Sequence, residues 1–152
     1  MAKTREAAVA VVGIDIGKYS FHVVGLDRRG AIVLRQKWSR GQVEARLANM
    51  PSCLIGMEAC VGAHHLSRRL NALGHNARLM PARYVRPYSK GQKNDFRDAE
   101  AIAEAVQRPT MKFVATKTAK HWVRNPWRGR SGSLLGTLQW RSVGKHYAGR
   151  GR

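Results

Sequence analysis

The chain has 152 residues, which is the size of one ordinary domain and is long enough to bury a hydrophobic core. Apolar residues make up 43% of the sequence, and this share excludes a wholly disordered chain. No apolar stretch approaches the ~20 residues of a membrane span, and the N-terminal segment lacks the cleavage site of a signal peptide. Lysine and arginine number 28 against 9 acidic residues, and the net charge of +19 favours nucleic acid as a partner.

Cysteine usage indicates a reducing compartment. The two cysteines, Cys53 and Cys60, are too few for a disulfide framework, and neither has the spacing of a zinc site. We expect both to be reduced thiols in a cytoplasmic protein.

The first forty residues predict three strands of a sheet. Residues 7–15 form a β-branched apolar run that ends at Asp15 and is followed by a Gly-Lys turn. Residues 20–26 and 31–36 are two further strands, and the turn-rich segment 27–30 between them predicts a hairpin.

Helices and strands alternate in the next part of the chain. Three helices are predicted from apolar spacing and from Pro and Gly stop signals, at residues 42–50, 62–73 and 95–107. Two short apolar strands are predicted between them, at residues 53–58 and 76–80. This order predicts an α/β fold with a mixed sheet flanked by helices.

The last part of the chain differs in composition. Residues 1–118 hold all the acidic side chains, whereas residues 119–152 are rich in Gly, Arg and Trp and contain no acid. The absence of apolar periodicity is not typical of a packed helix or strand. We therefore place a domain boundary near Thr118 and expect an irregular basic tail after it.

Four carboxylates stand out in this acid-poor sequence. Asp15 and Glu58 each close a predicted buried strand, where an ionised group is costly unless it is paired or binds a metal. Asp95 and Asp98 lie three residues apart at the start of a helix and share one face. Each of them alone is explained by turn hydrogen bonds or by the helix dipole. Together they predict a site for Mg²⁺ or Mn²⁺, the oxygen-ligated cations of phosphodiester chemistry.

Three segments that contain these carboxylates resemble the N-terminal RuvC-like domain of the DEDD transposases, bacterial insertion-sequence recombinases related to the Piv and MooV invertases. The segments are Val-Gly-Ile-Asp-Ile-Gly-Lys at 12–18, Gly-Met-Glu-Ala-Cys at 56–60 and Lys-Gly-Gln-Lys-Asn-Asp-Phe-Arg-Asp-Ala at 90–99. The resemblance covers residues 8–118, and Asn-Asp-x-x-Asp-Ala is its most specific element.

The resemblance implies an RNase-H-like fold and a catalytic, Mg²⁺-binding tetrad of Asp15, Glu58, Asp95 and Asp98. It also implies DNA transposition or site-specific recombination, a structured RNA that selects DNA sites, and a homo-oligomeric full-length protein. Family members are much longer and carry a serine-bearing C-terminal domain that this sequence does not match. We therefore expect a truncated copy, with residues 119–152 read out of frame; the alternative is a genuine basic tail that orders on nucleic acid.

A basic stretch leads up to the last two carboxylates. Phosphate contacts are expected from seven residues, with stacking by neighbouring tyrosines: Arg68, Arg69, Arg83, Arg86, Lys90, Lys93 and Arg97. The other interpretation of this stretch is the solvated face of an ordinary helix and loop. For the adjacent His64 and His65 we expect a solvent-facing or phosphate-contacting role rather than joint metal binding.

Two further interpretations of the whole chain stay open. The glycine-rich segment around Asp15 also resembles the first phosphate loop of actin-like sugar kinases, but the second such loop and an adenosine motif are lacking. The main alternative to a metal-dependent transposase domain is a basic nucleic-acid-binding module without turnover.

Overall fold

A computed structural model of the chain describes residues 8–86 and 94–119. Its strands are β1 (Val11–Ile16), β2 (Ser20–Leu26), β3 (Ile32–Ser39), β4 (Leu54–Glu58) and β5 (Asn76–Met80). Its helices are α1 (Arg40–Ala48), α2 (Val61–Ala72), α3 (Ala82–Val85) and α4 (Asp95–Val106). Every predicted strand and helix is present, with bounds that differ by a few residues at most.

The five strands form one mixed sheet in the order β3-β2-β1-β4-β5. Strands β1, β2 and β3 are joined as antiparallel hairpins, whereas β4 and β5 continue the sheet parallel to β1. Helices cover both faces of the sheet. The predicted α/β class is therefore confirmed, and the architecture is consistent with the RNase-H-like fold that the resemblance implies.

Alternation along the strands divides the interior into two cores. Val12 and Ile14 of β1 point to the face that α1 and α2 cover. Val11 points to the opposite face, which α4 and Val85 of α3 cover. Residues 13 and 15, which alternate with Val12 and Ile14, share the face of α4.

Turn and cap residues fix the ends of several elements as predicted. Gly30 has a φ of +82°, and the Asp27 carboxylate accepts backbone hydrogen bonds from Arg29 and Ala31 at 2.8 and 2.9 Å in the β2–β3 turn. Gly74 has a φ of +95° after α2; its N–H donates to the Asn71 carbonyl at 3.0 Å, and His75 N–H donates to the Leu70 carbonyl at 3.1 Å. These bonds end α2 in a Schellman motif.

Two differences from the predicted elements have physical reasons. Strand β3 runs to Ser39 rather than to residue 36, because Trp38 is buried against the α1 and α2 side and prolongs the pairing with β2. Helix α3 was not predicted, since four residues are too few to carry a helical period.

Some expectations lie outside the described residues. Residues 120–152 are among these, so the boundary near Thr118 and the irregular tail stay predictions. Lys90 and Lys93 also lie outside the described ranges. Within those ranges, every helix is too short or too polar to cross a bilayer.

Candidate metal centre and nucleic-acid surface

The sheet brings Asp15 and Glu58 together at the edge formed by the C-terminal ends of β1 and β4. Ile14 pairs with Met57 in the parallel β1–β4 ladder, so Asp15 and Glu58 are the next residues along two neighbouring strands. Both are half-buried. Gly13 and Gly56 also pair and both face α4, and the period of two in a strand gives Asp15 and Glu58 the same side.

The N-terminus of α4 holds the other two carboxylates. The Asn94 side chain accepts a hydrogen bond from Phe96 N–H at 2.9 Å, which caps the helix and begins it at Asp95. Asp95 and Asp98 therefore stand in the first turn, where the helix dipole favours negative charge. Asp95 is exposed and Asp98 is half-buried. The Asn of the Asn-Asp-x-x-Asp-Ala element thus has a structural role as the cap.

Two sheet glycines let α4 lie directly on β1 and β4. A Cβ atom at Gly13 would overlap the Ala99 carbonyl oxygen and would lie 2.5 Å from the Ala103 nitrogen. A Cβ at Gly56 would lie 2.8 Å from Val106 Cβ. The Ala of the sequence element is therefore the residue whose backbone rests on Gly13. This close approach sets the height of the helix above Asp15.

The structure gathers Asp15 and Asp95 with a residue that was not predicted, His22. One ligand atom from each of the three lies within 4.8 Å of the others. His22 is directly opposite Asp15 in the β1–β2 ladder, and its Nδ1 lies 3.6 Å from Asp95 Oδ2. Glu58 lies at the end of the neighbouring strand and Asp98 lies three residues after Asp95 in the first turn of α4; neither is a member of this group of three.

The donor set of this group fits a divalent cation. Metal–ligand distances of about 2.0–2.2 Å put two ligands of one octahedral ion roughly 3.0 Å apart when adjacent and 4.2 Å apart when opposite. The 3.6 Å from His22 Nδ1 to Asp95 Oδ2 is within that span. His22 Nδ1 is also buried and has no hydrogen-bond partner among the described residues.

The electrostatics of Cys60 report on the same edge of the sheet. Cys60 caps α2, and its thiol accepts a hydrogen bond from Ala63 N–H at 3.4 Å. Burial raises the pKa of the thiol, the Ala63 and Gly62 backbone N–H groups lower it, and the negative charges of Glu58 and Asp15 raise it further. The two strand-end carboxylates therefore act on a common neighbour.

The five predicted basic residues that the structure describes are divided between the two faces of the sheet. Arg83, Arg86 and Arg97 are exposed on or beside α3 and α4, on the face of the carboxylates. Arg68 and Arg69 belong to α2 on the opposite face. Arg68 donates to the Lys117 carbonyl, and Arg69 Nε lies 3.0 Å from Glu44 Oε2. Those two side chains therefore already have protein partners.

Sequence reasoning missed two basic residues on the face of the carboxylates. Lys37 and Arg35 of the edge strand β3 pair with His22 and Val24, so they point to the side of α4 and are exposed. The Arg35 guanidinium lies 4.6 Å from the centre of the Phe96 ring. Strict alternation along β3 is the signal that could have found them.

The expectation for His64 is wrong. His64 is only 5% exposed, and its Nδ1 accepts a hydrogen bond from Lys117 N–H at 3.1 Å. The segment that covers it returns to the sheet, where Val114 forms a bridge with Leu79. A solvent-facing role is therefore excluded by packing that the helical spacing alone does not reveal.

Comparisons with known proteins agree with the resemblance. The family model of the IS110-type DEDD transposases, described as a transposase, matches residues 12–121. The transposase for insertion sequence element IS1328 of Yersinia enterocolitica is 46% identical over 110 residues, which are 72% of this chain and 33% of the relative. The transposase for IS1111A of Coxiella burnetii is 37% identical over 112 residues, which are 74% of this chain and 31% of the relative. The chain spans about a third of the length of these curated relatives.

Proposed function

This chain belongs to the DEDD transposase family, and we propose that it forms the metal-binding, DNA-contacting domain of a transposase. The observation that carries this proposal is the convergence of Asp15 and Asp95 with His22 at the sheet edge where β1 and β4 end. A chain of net charge +19 that keeps acids at this edge is suited to an anionic substrate bound beside a cation.

In the proposed site, Asp15, Glu58, Asp95 and Asp98 are the ligands of Mg²⁺ or Mn²⁺. A bound cation supplies charge neutralisation to a phosphodiester and lowers the pKa of an attacking hydroxyl or water. The chain itself contributes an anionic pocket whose two halves are fixed independently, one by the β1–β4 register and one by the Asn94 cap of α4. The fold therefore fixes the positions of the four carboxylate ligands.

DNA is the proposed substrate, held by the exposed arginines on the face of α4. Arg83, Arg86 and Arg97 lie on the same side of the sheet as the carboxylates, with Lys90 and Lys93 between them in sequence. Phosphate contacts of this kind position a duplex without reading its sequence. Site selection by a structured RNA, and a homo-oligomeric assembly, are further proposals that rest on the resemblance alone.

Complete transposition is a property we propose only for the longer proteins of the family, because this chain spans about a third of its relatives. For the chain itself we propose metal-dependent binding of DNA and phosphodiester cleavage. The alternative, a basic binding module without turnover, predicts DNA binding that is independent of the metal site.

The test compares two charge-neutralising variants of α4 in the full chain. Asp95→Asn should weaken Mn²⁺ binding by tenfold or more, whereas Glu100→Gln, a half-buried residue of the same helix outside the group of three, should leave it within about twofold. Mn²⁺ binding is measured by calorimetry, and cleavage is measured by nicking of a supercoiled plasmid. Equal Mn²⁺ affinity in wild type and Asp95→Asn would refute the metal site. Intact metal binding without nicking in the wild type would favour the binding module.

A further inference from the structure

We infer that His22 is a nitrogen ligand of the cation at this site, so that the site prefers Mn²⁺ over Mg²⁺. This inference rests on the proposed metal-binding function and adds a ligand of a different chemical class to the four carboxylates. The preference is relative: Mn²⁺ shares the octahedral oxygen coordination of Mg²⁺, but as a transition-metal ion it accepts an added imidazole nitrogen more readily than Mg²⁺, which is bound almost entirely through oxygen.

The first observation is that His22 is buried with an unsatisfied nitrogen. The residue is 8% exposed, and its Nδ1 has no hydrogen-bond partner among the described residues. Its distance of 3.6 Å to Asp95 Oδ2 is beyond the range of a hydrogen bond. A buried polar atom without a hydrogen bond is costly, so a nitrogen left in this state calls for a ligand.

The second observation is that the nitrogen faces the carboxylates. His22 and Asp15 are directly paired residues of β2 and β1, and their side chains emerge on the side of α4. Asp95 approaches from the helix above them. One ligand atom of each residue lies within 4.8 Å of the other two, so three elements contribute to the same small volume.

The third observation is that the ring of His22 is held in place. The Phe96 ring meets it edge-on, with 4.7 Å between the ring centres and an interplanar angle of 83°. Phe96 in turn is covered by the Arg35 guanidinium at 4.6 Å. A ligand whose orientation is fixed by packing loses little entropy on binding, which is how a preorganised site gains affinity.

The decisive readout is the coupling of bound Mn²⁺ to ¹⁴N, measured by electron spin-echo envelope modulation on the full chain. We expect the signature of a directly bound imidazole in the wild type, its loss in His22→Phe and its retention in His65→Gln, a histidine of α2 outside the group of three. His22→Phe keeps a ring of similar size against Phe96, and circular dichroism checks its fold.

Affinities give the second readout. His22→Phe should weaken Mn²⁺ binding by about tenfold or more. Even the loss of a residue that only hydrogen-bonds to a metal ligand typically lowers metal affinity about 10–100-fold. Mg²⁺ affinity, measured by competition with Mn²⁺, should change by less than about threefold in His22→Phe. Asp95→Asn should weaken the binding of both ions.

The two proposals fail in different ways. Mn²⁺ that binds the wild type without ¹⁴N coupling, and that is lost in Asp95→Asn, overturns the role of His22 and leaves the carboxylate site standing. Mn²⁺ binding that is insensitive to Asp95→Asn overturns the proposed function itself. Equal weakening of Mn²⁺ and Mg²⁺ in His22→Phe also overturns the inference, because a merely structural histidine affects both ions alike.

Discussion

Replacing Gly13 by alanine tests whether the height of α4 above the sheet controls the site. The added Cβ would overlap the Ala99 carbonyl oxygen and would lie 2.5 Å from the Ala103 nitrogen and 2.9 Å from its Cβ. The first two of these atoms belong to backbone, so no rotamer change relieves the clash. The helix must move outward by about 1–1.5 Å to restore ordinary van der Waals separations of about 3.5 Å.

The expected cost follows from overpacking. Extra methylenes in a well-packed core cost typically about 1–3 kcal/mol, and a clash with backbone belongs at the upper end of that range. Gly13→Ala should therefore lower the free energy of unfolding by about 2–3 kcal/mol. It should also weaken Mn²⁺ binding, because the displaced helix carries Asp95 away from Asp15.

Two other glycines serve as controls. A Cβ at Gly41 of α1 meets nothing within 4 Å, so Gly41→Ala should stabilise the protein by about 0.5–1 kcal/mol. A Cβ at Gly56 meets the side chain of Val106 at the far end of α4, so Gly56→Ala should destabilise without a comparable loss of Mn²⁺ affinity. Urea unfolding and Mn²⁺ calorimetry measure both quantities. A Gly13→Ala protein as stable as wild type, with unchanged Mn²⁺ affinity, would show that the contact of α4 with Gly13 does not control the site.

Three other predictions concern the cap, a buried thiol and the basic face. Asn94→Ala should lower the free energy of unfolding, measured by thermal unfolding, by about 1 kcal/mol. Asn94→Asp keeps an oxygen that can cap the helix, so its free energy of unfolding should be close to that of the wild type. Equal values for the two variants would contradict the role of Asn94 as the cap. Burial raises the pKa of the Cys53 thiol from 9.0 to about 11, so between these pH values the unfolded state loses its proton first and stability falls as pH rises. Urea unfolding at pH 8 and 10 should show a smaller fall in Cys53→Ala, and an identical fall would exclude the thiol as a cause. Arg83→Ala should weaken DNA binding, measured by fluorescence anisotropy, and lower its salt dependence by about one phosphate contact. Arg69 pairs with Glu44 on the opposite face of the sheet, so Arg69→Ala should change neither quantity. Equal effects of the two substitutions would count against DNA binding on the face of α4.

The local features of the fold were predictable because they depend on neighbouring residues. Asn94 with Asp95 in the next position is readable as a helix start, and Gly74 after an apolar helix is readable as its end. Strands β2 and β5 have the predicted bounds, since turn residues or Pro81 border them closely.

The features that were missed depend on which elements meet in space. The role of Gly13 cannot be derived without knowing that α4, some eighty residues later in the chain, lies across β1. Arg69 and Arg83 belong to the same predicted basic stretch, yet α2 and α3 lie on opposite faces of the sheet. His22 is a partial exception. The turn in which Gly17 N–H donates to the Ser20 carbonyl at 3.1 Å fixes the β1–β2 register, and that register puts His22 opposite Asp15.

The most direct test of the metal centre is a crystal structure of the chain grown with Mn²⁺, with the ion located by its anomalous scattering. We expect a peak at the edge where β1 and β4 end, about 2.0–2.3 Å from carboxylate oxygens of Asp15 and Asp95 and from a ring nitrogen of His22. An anomalous peak bound only at other residues, or no peak at this group at millimolar Mn²⁺, would contradict it.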